Sequence, residues 1–462
     1  MQITKEFNDA LSSAALFAME NDNFAIISHY DADGLCAASI VAKALEREGK
    51  SFKIRIVKQL YRETMEEIKS MGKNFIFSDF GSGQIEIVKE NFQNFLILDH
   101  HQSPLPFEPL HINPFFFSVD GGNEISGAGM CYLFAKALNP KNSDLSALAI
   151  IGAVGDMQDF SGSLIGINRE IMADAEAEKI LTVSKDLRLY GRISRPLVQF
   201  IEFSSSPVIP GLTANEKACI KFIAELGIEL KEREHWKSYN DLSKEEKRLF
   251  SSSLILHMHE QKVPEWKIRE LIGEVYTLNK EPFNSPLRDA KEFATLLNSC
   301  GRHQQPEVAL AVCMGDREEN YSKAVSLMAE HRKQLREGIE FIHKEGIEEF
   351  KNFYFFDAKD VIKESIVGII AGMLYGSNLL SENKPIIAMA LNEDGSAKVS
   401  GRGTKYLVNN GLNLGKTFKE ICAELSDASD GGGHKIAAGC KIKPEHKERF
   451  LKLLDSKLAQ GK

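Results

Sequence analysis

Short apolar runs alternate with helical stretches between Phe24 and about Asp159, and this alternation constrains the fold more than any other feature of the chain. Four of the runs are rich in Ile, Phe and Val and predict buried strands: FAIISH, FKIRIV, NFIFSD and NFLILDH. Strands separated by helices are typical of a parallel α/β sheet. Three runs end in acidic or histidine residues, which are predicted to converge at the carboxyl edge of the sheet, where such sheets bind ligands.

The first polar end is the segment His29-Tyr-Asp31-Ala-Asp33-Gly34, and a helix is predicted to start just after it, near Leu35. Alternating His, Asp and Asp in an extended segment would present three side chains from a short arc of backbone, and Gly34 would permit the tight turn. This arrangement suits a metal site. The alternative interpretation is that Asp33 only caps the helix and that His29 only ends the strand.

The polar residues that end the other apolar runs favour the metal interpretation. Asp99-His100-His101 closes an apolar strand, where such a triplet would be costly without partners, although a solvated strand end is its alternative. Asp79 closes another strand before a Gly-rich turn, and Asp156 ends a later apolar run, with Asp159 as a competing candidate. Together these positions predict one cluster of imidazoles and carboxylates.

The size and composition of this cluster predict two metal ions. Imidazole and carboxylate ligands suit Mn²⁺ and tolerate Mg²⁺. Four or more carboxylates with two or three imidazoles exceed what one ion uses, so two ions about 3.5–4 Å apart, bridged by a shared carboxylate, are expected. Such a pair can assist hydrolysis of a phosphate ester.

Composition limits the classes of function. The 462 residues suffice for two to three domains. A net charge of -8 argues against a protein that coats a nucleic-acid duplex non-specifically, because that binding needs many Lys and Arg contacts. The seven cysteines form no CxxC pair and are expected to be reduced and mostly buried. No leader or membrane-spanning run is recognised, so a cytoplasmic protein without a membrane partner is expected.

The rest of the chain divides into two parts. From about 165 to 340 it is mostly helical, with capping boxes predicted at Thr213/Glu216 and Ser243/Glu246 and a connecting loop at 203–212. From about 350, FYFFDA, PIIAMALN and AGCKIK predict strands and VGIIAGMLYG a buried helix. This pattern predicts a separate C-terminal α/β domain.

The order of these motifs resembles the DHH phosphoesterase superfamily, which is named for the triplet found here at 99–101. The resemblance implies that His29 and Asp31 bind the first metal ion. It implies that Asp33, His100 and Asp156 bind the second, and that Asp79 bridges the two. His101 would then orient the site or contact the scissile phosphate, with Asp99 supporting it.

The C-terminal part resembles the DHHA1 substrate-binding domain of the same superfamily. The resemblance rests on Ser400-Gly401-Arg402-Gly403 and Gly431-Gly432-Gly433-His434. The glycines would let backbone N–H groups approach a phosphate, Arg402 offers a bidentate fork and His434 a further donor, whereas a flexible turn is the simpler interpretation of three glycines. We therefore expect Ser400, Arg402, Gly431, Gly432, Gly433 and His434 to bind substrate.

Within the superfamily, the length of the chain and its segment from Pro286-Leu-Arg-Asp289 to Asn298-Ser-Cys-Gly-Arg302 resemble those of archaeal RecJ-like nucleases. That resemblance implies an exonuclease that degrades single-stranded DNA or RNA to mononucleotides in replication or repair, with the GINS complex as a candidate partner. The expected fold is α/β: a parallel-sheet DHH domain at 1–190, a helical insertion at 191–340 and a smaller DHHA1 domain at 341–462, with the catalytic cleft between DHH and DHHA1. Because the chain ends at Lys462, no OB-type domain is expected after DHHA1.

Two alternatives remain open. The same chemistry could act on very short substrates, as in a nano-RNase, a 3′-phosphoadenosine 5′-phosphate phosphatase or a cyclic-dinucleotide phosphodiesterase. A replisome scaffold with a degenerate site is the non-enzymatic alternative, against which the intact set of metal-binding residues argues.

Overall fold

The structure, a computed structural model, describes residues 3–58, 60, 62–204, 207–377, 380–392, 394–425 and 431–460. The chain forms two compact units. The first unit contains Met1–Glu202 and Glu216–Met328, and the second contains Phe203–Asn215 and Ala329–Lys462. The predicted division of the chain at 190 and 340 stays a prediction.

A five-stranded parallel sheet organises the first unit, as predicted. Its strands are β1 (Phe24–His29), β2 (Phe52–Val57), β3 (Asn74–Ser78), β4 (Asn94–Leu98) and β5 (His111–Ile112). Their order is β2-β1-β3-β4-β5, and each neighbouring pair is parallel. The prediction that FKIRIV is a buried strand is wrong, because β2 lies at the sheet edge and leaves Lys53 and Arg55 exposed.

Helices accompany this sheet along the described part of the chain. They are α1 (Lys5–Glu20), α2 (Ala32–Arg47), α3 (Arg62–Ser70), α4 (Ile85–Asn91), α5 (Gly127–Leu138), α6 (Ser146–Gly155) and α7 (Ile167–Ala177). Helices α2, α5 and α6 are almost entirely buried and form the centre of the main hydrophobic core. They begin or end at the carboxyl edge of the sheet, which places their termini beside the polar strand ends.

The helical part of the chain also contains strands that the sequence did not predict. An antiparallel ribbon pairs β6 (Leu181–Leu187) with β9 (Ile272–Leu278), and a short hairpin pairs β7 (Lys231–Glu232) with β8 (His235–Trp236). The helices are α8 (Leu197–Glu202), α9 (Glu216–Glu225), α10 (Lys244–Glu260), α11 (Glu265–Arg269), α12 (Ala290–Arg302) and α13 (Pro306–Met314). The described residues between α8 and α9 contain no helix or strand, as predicted for 203–212.

The two predicted capping boxes have different outcomes. At the start of α10, the Ser243 hydroxyl accepts from the Glu246 N–H, and the Glu246 carboxylate accepts from the Ser243 N–H, which confirms that box. The box at Thr213 is wrong, because α9 begins only at Glu216. The Thr213 hydroxyl instead accepts a hydrogen bond from the Ile209 N–H.

The second unit is built on a six-stranded mixed sheet. Helix α14 (Glu319–Glu345) crosses the boundary at Met328 and is followed by β10 (Glu348–Glu349), β11 (Tyr354–Asp357), β12 (Ile386–Leu391), β13 (Ala397–Arg402), β14 (Gly432–Gly433) and β15 (Ala437–Ile442). The order is β10-β11-β12-β13-β15-β14. The helices are α15 (Glu364–Met373), α16 (Lys405–Asn409), α17 (Leu414–Glu424) and α18 (Lys447–Gln460). The three predicted strands and the buried helix are confirmed as β11, β12, β15 and α15.

All seven cysteines are free and buried, as expected. Among the described residues, no helix combines the length and apolar character needed to span a lipid bilayer.

Candidate metal centre

The first two predicted ligands lie at the junction of β1 and α2. Asp31 is the N-cap of α2 and accepts a hydrogen bond from the Gly34 N–H at 3.1 Å, while its other oxygen lies 2.8 Å from His29 Nδ1. The helix therefore begins at Ala32 rather than near Leu35, and the capping residue is Asp31 rather than Asp33. Gly34 lies inside the helix rather than in a turn, and a Cβ at this position would overlap the His29 carbonyl.

Asp33 is buried in the first turn of α2 and points at the start of another helix. Its two carboxylate oxygens accept hydrogen bonds from the Gly127 N–H at 2.7 Å and the Ala128 N–H at 3.0 Å. Both donors lie in the first turn of α5, where free N–H groups and the helix dipole stabilise an anion. A Cβ at Gly152 of α6 would overlap the Asp33 carboxylate, so this glycine makes room for it.

Asp79 follows β3 in a strained backbone conformation. Its φ of 55° lies in the left-handed region, which a residue other than Gly occupies at a cost. The side chain is buried, and its Oδ1 has no hydrogen-bond partner among the described residues. A buried oxygen without a partner is costly unless a cation or a further donor binds there.

The three side chains of the triplet at 99–101, which follows β4, have different partners. Asp99 is buried and accepts hydrogen bonds from the backbone N–H groups of His100, His101 and Ser82. It also accepts from His101 Nδ1 at 2.8 Å, which orients that ring. His100 Nδ1 lies 2.7 Å from the Gly121 carbonyl, so its Nε2 faces the carboxylates.

Asp156 is the C-cap of α6 and belongs to the same cluster. Its Oδ2 lies 3.4 Å from His100 Nε2, which in turn lies 3.2 Å from Asp79 Oδ1 and 3.6 Å from Asp33 Oδ2. The competing candidate Asp159 instead pairs with Arg188 at 2.6 Å. The structure therefore brings Asp156, and not Asp159, to the other candidate ligands.

The ligand atoms form three overlapping groups that could each hold a metal ion. The groups are His29, Asp31 and Asp79; Asp33, His100 and Asp156; and Asp79, His100 and His101. Asp79 Oδ1, from the first group, and His100 Nε2, from the second, lie 3.2 Å apart, and neither has a hydrogen-bond partner among the described residues. Two inward-facing atoms without hydrogen-bond partners are what a bound cation would satisfy, so these residues fit a divalent metal.

The electrostatics of the cluster support the same interpretation. Burial and the neighbouring carboxylates of Asp33 and Asp31 raise the pKa of Asp79 well above its ordinary value. Burial by itself lowers the pKa of His100, but the negative charges of the nearby Asp156 and Asp33 outweigh this effect and raise the pKa to about 9. Without a metal, the cluster therefore retains protons to balance its negative charge. Divalent cations can replace those protons, as they do when carboxylate and imidazole groups become ligands.

Gly127 offers a direct test of how tightly this centre is packed. The Gly127→Ala variant would place a methyl group against the Asp79 carboxylate. We expect it to weaken Mn²⁺ binding and to lower the free energy of unfolding by about 1–3 kcal/mol, the usual effect of overpacking. Calorimetric Mn²⁺ titration and denaturant unfolding measure the two effects.

The matched control is Gly372→Ala, also within a helix, whose added methyl group meets no atom within 4 Å. We expect wild-type Mn²⁺ binding from this control. Wild-type Mn²⁺ affinity and stability in Gly127→Ala would contradict the tight packing around Asp79.

The candidate substrate-binding residues lie on strands β13 and β14 of the second unit or directly beside β14. Ser400 on β13 is opposite Gly439 on β15, and Gly439 is opposite Gly432 on β14, so the two predicted segments share one row of the sheet. The Arg402 guanidinium packs against Gly368 of α15, and a Cβ there would lie 2.5 Å from its Nη2. The row therefore brings Ser400 close to Gly432, although the two are about 30 positions apart in sequence.

The glycine segment is fixed by its neighbours. A Cβ at Gly431 would lie 2.6 Å from both Cys422 Sγ and the Phe418 carbonyl, and Gly433 has a φ of 135°. The His434 N–H donates to the Ala437 carbonyl at 2.8 Å. Gly431 and Gly433 are therefore required by close packing and backbone conformation, which a flexible turn would not require, whereas a Cβ at Gly432 would meet no atom within 4 Å.

Sequence reasoning missed the residues that support the ligands. Gly127 and Ala128 provide backbone donors, Gly152 provides space, and Ser82 provides an N–H to Asp99. The glycines in SGAG at 126–129, at the start of an apolar helix, were the available signal for the donors. The sequence carries no comparable signal for Ser82.

Comparison with known families assigns three parts of the chain. Residues 23–154 match the DHH family, N-terminal domain, residues 189–272 match the DHH-CID domain, and residues 351–460 match the DHHA1 domain. An uncharacterized protein of Methanocaldococcus jannaschii is 32% identical over 440 residues, which cover 93% of this chain and 92% of that protein.

Solved structures share the fold at low sequence identity. RecJ from Thermus thermophilus, in complex with Mn²⁺, is 17% identical with a TM-score of 0.60; the match covers 99% of this chain but only 56% of that RecJ. CDC45 from Entamoeba histolytica is 16% identical with a TM-score of 0.67, and the match covers 98% of this chain and 99% of that one. With its DHH, DHH-CID and DHHA1 domains, the chain shares its fold with RecJ and belongs to the DHH superfamily.

Proposed function

We propose that this protein is a two-metal phosphodiesterase that removes mononucleotides from one end of single-stranded DNA or RNA. The observation that carries the proposal is the position of Asp79, whose carboxylate groups with His29 and Asp31 and whose Oδ1 also lies 3.2 Å from His100 Nε2. One carboxylate between two ligand groups is the arrangement that lets two ions act on one phosphoryl group.

In this proposal, His29 and Asp31 would hold the first ion, Asp33, His100 and Asp156 would hold the second, and Asp79 would be shared by both. Two divalent ions, Mn²⁺ or Mg²⁺, would acidify a water molecule and supply positive charge for the phosphoryl oxygens. The protein's contribution is a set of ligands that are already in place. Asp33 is fixed by two backbone N–H groups, and His100 is fixed by the Gly121 carbonyl.

His101 is the proposed catalytic group outside the metal ligands. Its side chain is 45% exposed, whereas Asp99, which holds its Nδ1, is buried. This arrangement leaves Nε2 directed away from Asp99 and accessible to substrate. Burial lowers the pKa of His101, but the charge of Asp99 and its hydrogen bond raise it to about 9. A protonated imidazole can donate to a phosphoryl oxygen as charge develops there.

Substrate choice is proposed to lie in the DHHA1 domain. Arg402, His434 and the glycine segment 431–433 would bind the terminal phosphate or nucleotide. The row that joins β13, β15 and β14 supports this proposal, because it places Ser400 and Gly432 on one sheet. Anchoring of a chain end would make cleavage exonucleolytic.

The similar structures support this proposal through their fold. RecJ structures contain Mn²⁺ or Mg²⁺, and one is described as an exonuclease. We propose the same ions and a related reaction here, and we extend the proposal to a role in replication or repair with GINS as the candidate partner. The likeness to CDC45 is consistent with a replication setting.

The test is digestion of end-labelled DNA and RNA strands of two to about twenty nucleotides with Mn²⁺, with products separated by size. The proposal predicts stepwise release of mononucleotides from long strands, and the labelled end identifies the direction. Cleavage confined to dinucleotides would instead assign the protein to the short-substrate phosphodiesterases. Bound Mn²⁺ without hydrolysis of any strand, together with co-purification of GINS subunits, would indicate a scaffold.

A further inference from the structure

Residues 121–128, which we call the support segment, contact two of the three proposed ligands of the second ion. At its start, the Gly121 carbonyl accepts a hydrogen bond from His100 Nδ1. At its end, the N–H groups of Gly127 and Ala128 donate to the Asp33 carboxylate. The position of this segment therefore decides where His100 Nε2 and the Asp33 oxygens lie.

Gln158 connects the support segment to the third ligand. It lies two residues after Asp156, in the same turn that follows α6, and its backbone N–H donates to the Ala153 carbonyl at 2.9 Å. Its side chain is only 4% exposed, and its Nε2 donates to the Gly121 carbonyl at 2.9 Å and to the Ile125 carbonyl at 3.1 Å. One amide group therefore ties Asp156 to the segment that holds the other two ligands.

The hydrogen bonds of Gln158 leave no freedom in its amide orientation. Both N–H donors are used by backbone carbonyls, which can only accept, and Oε1 accepts from Asn168 Nδ2 at 2.6 Å. Asn168 is itself fully buried, and its N–H donates to the Glu124 carbonyl at 2.9 Å within the support segment. A side chain without two donors cannot reproduce this connection.

The segment also has no room to adjust at His100. A Cβ at Gly121 would overlap the His100 carbonyl, so the two backbones are in close contact. The Gly121 carbonyl has two lone pairs, and His100 and Gln158 use one each. Loss of the Gln158 donor would therefore free the carbonyl that sets the His100 ring.

We propose that Gln158 is a positioning residue for the second metal ion and has little influence on the first. The inference rests on the proposed two-metal function, because it assumes that His100, Asp33 and Asp156 hold one ion. None of the hydrogen bonds of the Gln158 side chain involves His29 or Asp31. The asymmetry between the two ions distinguishes a positioning role from general stabilisation of the domain.

The test measures Mn²⁺ affinity by calorimetry in backgrounds that each retain one site. In His29→Ala, which keeps the second site, adding Gln158→Ala should weaken Mn²⁺ binding by about 10–100-fold, as expected for loss of a group that orients a ligand. In Asp33→Ala, which keeps the first site, the same addition should leave the affinity unchanged. Asn142→Ala is the matched control, because Asn142 is also a fully buried amide that donates to a backbone carbonyl, that of Ala135.

Unfolding by denaturant in the presence of EDTA separates stability from metal binding. Gln158→Ala and Asn142→Ala should both lower the free energy of unfolding, but only Gln158→Ala should weaken the second site. If Gln158→Ala does not fold, Asn168→Ala removes only the partner of Oε1 and should weaken the same site by a smaller factor.

Equal weakening of both sites, or unchanged affinity of the second site, would overturn the positioning role. Failure of the proposed function would be visible in the wild-type protein, which would then bind fewer than two ions or fail to release mononucleotides from long strands.

Discussion

Replacement of Asp79 by Asn is expected to lower kcat for Mn²⁺-dependent phosphodiester hydrolysis by at least about 10³-fold, which corresponds to several kcal/mol of transition-state stabilisation. The reason is the shared position of this carboxylate between the two proposed ions, where its Oδ1 lacks any hydrogen-bond partner among the described residues. The neutral amide keeps the size of the side chain but removes the negative charge that both ions need. Steady-state hydrolysis of a labelled oligonucleotide measures the loss.

The matched control is Asp9→Asn on α1, which removes an exposed carboxylate outside the centre. We expect this control to retain wild-type activity. Thermal unfolding gives an independent measurement, because Mn²⁺ that binds only the folded protein raises its stability by about 2.7 kcal/mol at a hundredfold excess over Kd. That stabilisation should appear in the wild type and shrink in Asp79→Asn. Activity within tenfold of wild type in Asp79→Asn would refute the bridging role.

His101→Ala is expected to lower kcat by about 10²–10³-fold, the usual effect of removing one donor to developing negative charge. His101 is held through Nδ1 by Asp99, and its exposed ring is not among the proposed ligands of either ion. Mn²⁺ binding should therefore remain at two ions per chain, in contrast to the Asp79 variant. Calorimetric titration beside the kinetic measurement separates the two outcomes, and loss of an ion in His101→Ala would assign the residue to the metal site.

The pH dependence of kcat tests the interaction between His101 and Asp99. Asp99 raises the pKa of His101 to about 9, so the imidazole keeps its proton at neutral pH and loses it as the pH rises through that value. If the protonated form is the active one, kcat should fall at high pH. In Asp99→Asn the stabilising charge is gone, so this fall should begin at lower pH. If kcat falls at the same high pH in Asp99→Asn as in the wild type, this fall does not reflect loss of the His101 proton.

The strands and the DHH motifs were predictable because each depends on residues that are neighbours in sequence. Short apolar runs identified β1, β3 and β4, and the polar residue after each run marked its end. The exposure of one face of β2 was missed, although Lys53 and Arg55 alternate with apolar residues in FKIRIV, which is the pattern of a half-buried strand. The ribbon of β6 with β9 was also missed, because its partners are about 90 residues apart and neither strand is markedly apolar.

By itself, the sequence determined which residues could bind metal and that they would meet at one edge of a parallel sheet, because parallel strands with helical crossovers end on the same side. The tertiary structure decided which of these residues caps a helix, which pairs elsewhere and which joins the cluster. Asp31 rather than Asp33 caps α2, since Asp33 is taken by the N–H groups of α5. Asp156 rather than Asp159 reaches His100, since Arg188 holds Asp159. Gln158 acquires its proposed role only through carbonyls more than 30 residues away. These choices depend on which distant groups satisfy each buried charge and donor, and no local pattern contains that information.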